Sequence, residues 1–265
     1  MGKDVVGSEI MKSAIFIAIR MKSTRLPKKA ILKIKGKTVI EHLIDRLKTA
    51  KLPGLIVLCT STHPDDEVLA DIAEKNNIEY FRGSEEDKLG RFLGAAKKYN
   101  VDFIVSVDGD DIFCDPEFID KTIETFIRTQ ADYITCKDLP LGAASHGIKV
   151  DALKKICEIK DETDTEVYGG YFTEIGLFRV EYLDVEDHEL RHPEIRMTLD
   201  YPEDYKFFKA VFDELYNLEK VFTLKEILTL LRKKPHIMEI NKHLQERYAE
   251  RIQKHPGVKL KKGYY

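Results

Sequence analysis

The sequence lacks the features that mark several large classes of protein. Its four cysteines form no CxxC pair, so they indicate neither a zinc site nor a disulfide framework and fit reduced thiols in a cytoplasmic protein. No apolar run approaches the roughly 20 residues that span a bilayer. Residues 1–10 lack the apolar core of a signal peptide. We therefore expect no membrane partner and interpret residues 1–10 as a flexible leader.

The charge shows no large excess of either sign. The chain has 43 Lys and Arg against 46 Asp and Glu, a net charge of −3. A protein with this charge balance lacks the broad positive field of a nucleic-acid binder, so we expect no nucleic-acid partner. A local basic pocket for a small anion is compatible with the balance. With 265 residues, 43% of them hydrophobic, the chain can bury a substantial core. One large α/β domain or two small ones fit this length.

Short apolar runs alternate with amphipathic segments over the first 135 residues. The continuous apolar runs predict strands buried on both faces, at residues 14–19, 55–60, 78–82, 102–107 and 132–136. Apolar residues at helical spacing predict helices, at residues 38–50, 63–76, 87–99 and 115–129. This alternation predicts a mostly parallel sheet flanked by helices, in which ligands bind at the carboxyl ends of the strands.

The pattern changes after about residue 139, where glycines separate shorter segments. We expect a smaller mixed lobe here that covers the carboxyl edge of the sheet. Further helices are predicted at residues 204–216, 223–231 and 241–253. The tail, residues 254–265, has no periodicity, and we expect it to be frayed or packed on a neighbouring molecule.

The loop after the first predicted strand, residues 20–29, holds five cations in ten residues. Backbone N–H groups with Arg and Lys beside them suit a polyphosphate. A solvated basic turn is the simpler alternative. The loop is not a Walker A loop, because the glycines and the GK[ST] ending are absent.

Acidic residues follow the fourth predicted strand. Asp108, Asp110 and Asp111 place three carboxylates within four residues, and they repel one another unless a cation lies between them. Hard oxygen ligands suit Mg²⁺, which bridges to phosphates; an acidic capping turn is the alternative. Asp200 can join this group only if it approaches Asp110 in space; otherwise it is the N-cap of the helix that starts near Pro202.

Weaker signals come from acids and histidines outside these loops. Asp66 lies at the start of a predicted helix and fits a first-turn charge. The histidines share no ligand spacing such as HExxH, and we interpret them as surface or capping residues. They are His63, His146, His188 and His192.

Several motifs in a fixed order resemble the CMP-sugar synthetase group of cytidylyltransferases. They lie at residues 20–29, 36–42, 60–64, 82–91, 109–116 and 199–204. The likeness runs from about residue 12 to 210 and is greatest for SpsF-like proteins of spore-coat polysaccharide biosynthesis. Acylneuraminate and 3-deoxy-manno-octulosonate cytidylyltransferases are the wider relatives.

This resemblance implies a nucleotide-diphospho-sugar-transferase fold, with a mostly parallel Rossmann-like sheet and a smaller mixed lobe for the acceptor and for dimerisation. It implies CTP as substrate, Mg²⁺ as cofactor and a homodimer. The expected organisation is a single nucleotidyltransferase domain at residues 11–235, with a nucleotide-binding half at 11–138 and an acceptor lobe at 139–210. A C-terminal helical extension and tail would occupy residues 236–265.

The resemblance also assigns roles to individual positions. Arg20, Arg25 and Lys29 would hold the triphosphate. Arg25 and Lys29 form the expected catalytic set with Asp110 and Asp200. Asp110 and Asp200 would ligate Mg²⁺. The implied nucleotide-binding residues are Ile19, Arg20, Met21, Ser23, Arg25, Lys29, Thr60, Ser61, Ser84, Arg91, Asp108 and Gly109.

Three positions depart from the family pattern. Lys28 stands where the family usually has Gly, Ile112 replaces the usual Pro, and Asp108 stands where the wider relatives often carry Gln. Residues 139–192, which would shape the acceptor pocket, match only loosely. The identity of the sugar is therefore open.

The expected reaction is transfer of CMP from CTP to an acidic sugar or related acceptor, with release of pyrophosphate. One alternative is a nucleotidyltransferase of the same fold for another base or for a phosphorylated non-sugar acceptor. A second is a glycosyltransferase in which Asp108, Gly109 and Asp110 form a DxD metal motif. A third is a nucleotide-binding relative without turnover.

Overall fold

A seven-stranded sheet flanked by helices forms the centre of the computed structural model, which describes residues 11–254 and 257–264. The predicted leader lies outside the described residues. The strands are β1 (Ser13–Ala18), β2 (Lys33–Ile34), β3 (Lys37–Thr38), β4 (Leu55–Ser61), β5 (Glu79–Gly83), β6 (Phe103–Asp108), β7 (Tyr133–Thr135), β8 (His146–Lys149) and β9 (Val180–Tyr182). The helices are α1 (Val39–Leu47), α2 (Glu67–Lys75), α3 (Lys88–Tyr99), α4 (Pro116–Thr129), α5 (Val150–Ile159), α6 (Gly170–Thr173), α7 (Pro202–Leu215), α8 (Leu224–Lys233), α9 (Pro235–Met238) and α10 (Leu244–Gln253).

The sheet has the strand order β5-β4-β1-β6-β8-β7-β9. Strands β5, β4, β1 and β6 are parallel neighbours. Strand β8 runs antiparallel between β6 and β7, and β9 pairs parallel with β7. Strands β2 and β3 form a small separate ladder. The predicted α/β fold with a mostly parallel sheet is confirmed.

Strand β1 shows why its sequence is apolar throughout. Ile15 and Ile17 pack with α1, α2 and α4 on one face of the sheet, whereas Ala14 and Phe16 pack with α3 and α5 on the other. All four side chains are fully buried. A strand with helices on both faces has no solvent-facing side, so polar residues do not alternate along it.

A third apolar core lies where α4 begins and where α7 and α8 pack together. Its centre is aromatic: the Phe113 ring contacts those of Phe208, Phe212 and Phe222. Ile112, the residue at the usual proline position, is also buried in this core. The core fixes the start of α7 next to the carboxyl end of β6, which matters for the site described below.

The second half of the chain joins the main sheet and makes its far edge mixed. Residues 139–200 contribute β8 and β9 to the main sheet and add α5 to the same face as α3. The described part of the tail, residues 257–264, packs on this same chain: Leu260 is buried and forms a bridge with Lys160 after α5. The expectation of a frayed or neighbour-packed tail is wrong for these residues, while the domain boundaries stay a prediction.

Among residues 11–254 and 257–264, none of the helices is both long enough and apolar enough to cross a bilayer.

Candidate active site

A cavity of about 770 Å³ opens at the carboxyl ends of β1 and β6. This is the place where open α/β sheets bind ligands. Its walls come from the loop after β1, the acids at the end of β6, residues 162–169, the segment before α7 and one face of α10. The predicted site residues that line the cavity are Ile19, Arg20, Ser23, Arg25, Lys29, Arg91, Asp108, Asp110 and Asp200.

The loop after β1 turns at Lys28 before it reaches Lys29. Lys28 has a φ of 56°, in the left-handed region that favours glycine. This conformation gives a physical reason for the glycine that the family usually carries at this position. A short 3₁₀ turn, Lys29–Ile31, follows and holds the Lys29 side chain in the cavity wall.

Lys29 joins the two carboxylates predicted to ligate a metal. Its ammonium contacts Asp110 and lies 3.0 Å from Asp200 Oδ1. Arg25 donates a hydrogen bond to the same Asp200 oxygen. The backbone N–H of Leu199 donates to the carbonyl oxygen of Asp110 at 3.0 Å, which ties the two acidic segments together. The structure therefore brings Asp200 to the Asp110 loop, as a shared metal site requires.

The pKa values of these groups differ because their neighbours differ. Burial disfavours charge on Lys29, but Asp110 and Asp200 outweigh it and raise the lysine pKa. Burial also opposes charge on Asp200, yet Lys29 and Arg25 hold its pKa well below the usual range. For Asp110, burial raises the pKa and Lys29 opposes the shift. Burial and the neighbouring Asp110 raise the pKa of Asp111 well above its ordinary value.

The acidic cluster fits a divalent cation. Asp108, Asp110 and Asp111 each offer an oxygen, and these atoms lie within 4.8 Å of one another. Burial and the neighbouring carboxylates raise the pKa values of Asp110 and Asp111, and a bound cation would oppose both effects. Carboxylate oxygens are the ligands that Mg²⁺ prefers, and Asp110 and Asp200 already share one cation, the Lys29 ammonium.

A fully buried ion pair lies behind Asp200. Arg196 donates through Nε and Nη2 to the two oxygens of Asp204, both at 2.9 Å. Asp204 also accepts from the backbone N–H groups of Asp200 and Tyr201 and from Asn241 Nδ2, each at 2.9 Å. Asp204 thus caps the start of α7. The alternative in which Asp200 is the helix cap is wrong, and the Asp200 side chain faces the cavity.

Asp108 has a buried partner that the sequence did not indicate. Lys88, the first residue of α3, contacts the Asp108 carboxylate. The Lys88 side chain is 2% exposed and that of Asp108 is 46% exposed. Burial opposes charge on Lys88, but Asp108 outweighs it and raises the lysine pKa. The extra acid at position 108 is therefore matched by a nearby cation.

Gly109 shapes the junction between β1 and β6. A Cβ atom at this position would collide with the Ile19 side chain. The Gly109 N–H donates to the carbonyl oxygen of Ala18 at 2.8 Å. Only glycine permits this close approach of the two loops that carry the cavity residues.

Thr60, Ser61 and Met21 support the cavity loop from behind. Asp66 accepts hydrogen bonds from the Met21 N–H at 2.7 Å, from Thr60 Oγ1 at 2.9 Å and from the Ser61 N–H at 3.1 Å. Asp66 is only 2% exposed, so it is more than a first-turn helix charge. Its carboxylate ties the end of β4 to the loop after β1, and the Thr60 and Ser61 hydroxyls face Asp66 rather than the cavity.

Arg20 and Arg91 meet around the loop after β5. Arg91 Nη1 donates to the carbonyl oxygens of Ser84 and Glu85 at 2.7 and 2.9 Å. Arg20 donates to the Glu85 carbonyl and, at 2.6 Å, to the Glu166 carboxylate. Ser84 therefore contributes its backbone carbonyl, while both arginines line the cavity.

Among the cavity residues that the sequence did not indicate are His146 and residues of α10. His146, interpreted as a surface or capping residue, lines the cavity from β8, and that interpretation is wrong. Its Nδ1 lies 3.0 Å from Thr135 Oγ1, and burial lowers its pKa to about 4. Helix α10 adds Tyr248 and Arg251 to the wall. Their spacing places them on one helix face, but the surrounding charged sequence does not indicate what that face meets.

Comparison with known proteins agrees with this geometry. The family model described as "Cytidylyltransferase" matches residues 14–252. An uncharacterized protein of Methanocaldococcus jannaschii, MJ1063, is 32% identical over 92% of this chain and 100% of its own length. The Bacillus subtilis spore coat polysaccharide biosynthesis protein SpsF is 29% identical over 85% of this chain and 96% of its own. A 3-deoxy-manno-octulosonate cytidylyltransferase of Chloroherpeton thalassium is 31% identical over 62% of this chain and 64% of its own.

A solved structure extends the similarity to three dimensions. A cytidylyltransferase from Leptospira borgpetersenii superposes with a TM-score of 0.79 at 28% sequence identity. The match covers 86% of this chain and 97% of the other.

Proposed function

Because this chain belongs to the cytidylyltransferase family and is a nucleotidyltransferase, we propose that it transfers CMP from CTP to an acidic sugar, with Mg²⁺ as cofactor. The observation that carries the proposal is the meeting of Arg25, Lys29, Asp110 and Asp200 at one cavity wall. Cations for phosphates and carboxylates for a metal are thus adjacent. The relative from C. thalassium, whose name specifies an acidic sugar, supports the acceptor class.

The proposed role of Arg25 and Lys29 is to bind the triphosphate. Both side chains line the cavity and are partly buried, at 32% and 14% exposure. Charge-assisted hydrogen bonds are strongest where water is scarce. Bound phosphates would compete with Asp110 and Asp200 for these cations. Nucleotide binding would therefore loosen the ion pairs of the free protein and leave the two carboxylates available.

Asp110 and Asp200 are the proposed ligands of Mg²⁺. Mg²⁺ held there would supply positive charge against the phosphate oxygens of CTP. Asp108 is not part of this proposed pair, and the buried Lys88 contacts its carboxylate. The protonated form of Asp111 is favoured by burial and by its acidic neighbours.

The reaction needs positioning and charge neutralisation more than covalent catalysis. An acceptor hydroxyl oxygen forms a bond to the α-phosphorus of CTP and gives up its proton to water, and the bond between this phosphorus and the bridging oxygen breaks. Pyrophosphate leaves with the bonding electron pair. Arg25 and Lys29 are placed to stabilise the charge that grows on the leaving group.

A homodimer in the cytoplasm is the proposed form of the enzyme, as the resemblance to CMP-sugar synthetases implies. Sedimentation-equilibrium measurements with and without CTP test the oligomeric state. A dimer is expected at micromolar concentration, and a monomer under both conditions would contradict this part of the proposal.

Thermal-shift measurements with CTP, UTP, ATP and GTP, each with and without Mg²⁺, test the donor without an acceptor. A ligand at about one hundred times its Kd adds about 2.7 kcal/mol to the stability, which is several degrees for a chain of this size. We expect this shift for CTP with Mg²⁺. A larger increase in melting temperature with another nucleotide would mean that this nucleotide, not CTP, is the donor. No increase with any triphosphate would contradict the proposal.

A further inference from the structure

Arg46, on α1, is a buried cation that lies outside the active-site cavity. It lines a second cavity of about 280 Å³, whose walls come mainly from α1, the end of α7 and the segment that joins α7 to α8. This cavity shares none of its lining residues with the active-site cavity. Its volume lies just below the range of roughly 300–1,000 Å³ that is usual for ligand pockets, so it suits a small molecule.

The absence of an acidic partner distinguishes Arg46 from the other buried basic residues. Within the described residues, four Lys or Arg residues are at most 3% exposed, namely Arg46, Lys88, Arg91 and Arg196. Three of them lie within ion-pair distance of a carboxylate, in the pairs Lys88–Asp108, Arg91–Glu166 and Arg196–Asp204. In the part of the chain that the structure describes, Arg46 has no such carboxylate, and burial lowers its pKa to about 10. It therefore stays charged at neutral pH without a countercharge, which is unusual for a buried arginine.

The contacts of Arg46 orient its guanidinium and leave its charge uncompensated. Its Nη2 donates to the carbonyl oxygen of Phe222 at 2.8 Å. The guanidinium carbon lies 5.0 Å from the centre of the Phe222 ring and 5.6 Å from that of Phe113. Aromatic faces attract a cation but carry no net negative charge. The guanidinium is thus held in the cavity wall in an arrangement that a bound anion would complete.

The other charges at this cavity favour an occupant with a single negative charge. Lys37 lies 2.6 Å from Asp45, and Lys220 lies 2.9 Å from Glu226, so both of these cavity lysines are already paired. Arg46 supplies the one uncompensated positive charge. Asp45 also lines the cavity and would repel a second negative charge on the occupant. A carboxylate, which a guanidinium can bind through two parallel hydrogen bonds, fits this charge better than a phosphate dianion.

Aromatic and apolar side chains form much of the remaining wall. The ring of His42 lies 4.4 Å from that of Phe212 and 5.6 Å from that of Tyr216, between ring centres. Burial lowers the pKa of His42, so this ring is neutral at pH 7 and adds no charge. Leu218 also lines the cavity and is 85% exposed, so an occupant would cover apolar surface there. These surfaces suit the apolar or aromatic part of a small organic acid.

We propose that the cavity at Arg46 is a second ligand site, which binds a small carboxylate with an apolar or aromatic body. The Arg46 guanidinium binds the carboxylate, and the surrounding rings pack on the body. The inference does not depend on the proposed cytidylyl transfer, because the two cavities are separate. Phe113, which Arg46 contacts, belongs to the core that fixes the start of α7, so an occupant would stabilise this core.

NMR titrations of the full chain test the site, with benzoate as the probe and benzamide as the neutral probe of the same shape. The parent protein should bind benzoate with a Kd of about 1 mM or below. Benzamide should bind at least about tenfold more weakly, since it lacks the charge that Arg46 would bind. Arg46→Met should weaken benzoate binding by at least about tenfold. The control Arg128→Met removes an exposed arginine from α4 and should change the Kd less than about twofold.

Intermolecular NOEs in the parent protein locate the probe even if Arg46→Met fails to fold. With labelled Leu and Val methyl groups, the ring protons of benzoate should give NOEs to Leu218 and Val221, which line this cavity. Saturating CTP with Mg²⁺ should leave the Kd of benzoate unchanged, because the active-site cavity shares no residue with this one.

Several results would overturn the proposal. They include no binding of benzoate by the parent protein, equal binding of benzamide, and unchanged binding of benzoate by a folded Arg46→Met. Displacement of benzoate by CTP, or NOEs to Leu141 and Val167 instead, would place the probe in the active-site cavity. Tighter binding of phenyl phosphate than of benzoate would contradict the assignment of a singly charged carboxylate.

Discussion

Two sets of ion pairs between a basic residue and aspartate lie next to each other and have different surroundings. Lys29, Asp110 and Asp200 face the cavity, and their side chains are 14%, 22% and 5% exposed. Arg196 and Asp204 lie behind them with no exposure, and the two oxygens of Asp204 are satisfied by side chains and by backbone N–H groups. The comparison shows that access to the cavity separates charges that can bind a ligand from charges that stabilise the fold.

The largest expected effect is the loss of turnover when a carboxylate that faces the cavity is replaced. Asp110→Ala should lower kcat about a thousandfold, the scale of losing a group that organises transition-state charge. The fold should be retained, because burial raises the pKa of Asp110 and its charge is therefore not a favourable contribution to stability. Pyrophosphate release and thermal unfolding measure the two effects. Near-parental turnover in Asp110→Ala, or in the corresponding Asp200→Ala, would contradict the metal assignment.

Substitution in the buried pair of Arg196 and Asp204 should instead cause a large loss of stability. Asp204→Asn leaves the Arg196 guanidinium buried without its countercharge, which costs about 3–5 kcal/mol. A melting temperature lower by about ten degrees is expected for a chain of this size.

The control for the buried pair is Asp213→Asn on the same helix. Asp213 is 58% exposed and forms its ion pair with Lys35 at the surface, where such pairs contribute about 0–1 kcal/mol. Equal destabilisation by both substitutions would mean that burial does not distinguish these ion pairs.

Substitution of Lys29 is expected to have a smaller effect, which is confined to the binding of CTP. Lys29→Met should raise the Kd of CTP about tenfold to a hundredfold, because hydrogen bonds to charged groups contribute about 1.5–3 kcal/mol. Calorimetry without acceptor measures this change directly. Lys28→Met is the control, since Lys28 is the exposed neighbour in the same loop. A CTP affinity unchanged by Lys29→Met would refute the phosphate role.

The smallest expected effect concerns the pH dependence of stability and His146, a half-buried residue of the cavity wall. Burial lowers its pKa to about 4, whereas an unfolded histidine titrates near 6.5. As the pH falls between these values, the unfolded chain takes up a proton that the folded protein does not, so stability decreases.

Replacement of His146 tests this pH dependence. The difference in melting temperature between pH 7 and pH 5 should be smaller in His146→Gln than in the parent protein. An equal pH dependence in both proteins would contradict the lowered pKa of His146.

Local signals allowed much of the fold to be predicted from the sequence. Continuous apolar runs identified β1 and β4 to within one residue at each end, and Pro116 with the preceding Asp115 marked the start of α4. Strand β8 was missed. It is short, and its pairing between β6 and β7 depends on residues far apart in the chain.

The site was predictable where its residues follow strands and unpredictable where it depends on tertiary proximity. The basic loop with Lys29 and the acidic loop with Asp110 follow adjacent parallel strands, so their meeting at one sheet edge was expected. The approach of Asp200 to Asp110 and the burial of Lys88 depend on how distant segments pack. The same is true of α10, whose charged sequence looks like a solvent-exposed helix.

Pyrophosphate release from CTP with Mg²⁺, measured with and without 3-deoxy-manno-octulosonate or N-acetylneuraminate, tests the central claim most directly. The account predicts release that depends on the acidic sugar, on Mg²⁺ and on CTP rather than UTP, ATP or GTP. Release that proceeds equally with another nucleotide, or that occurs only with a phosphorylated or neutral acceptor, would contradict it.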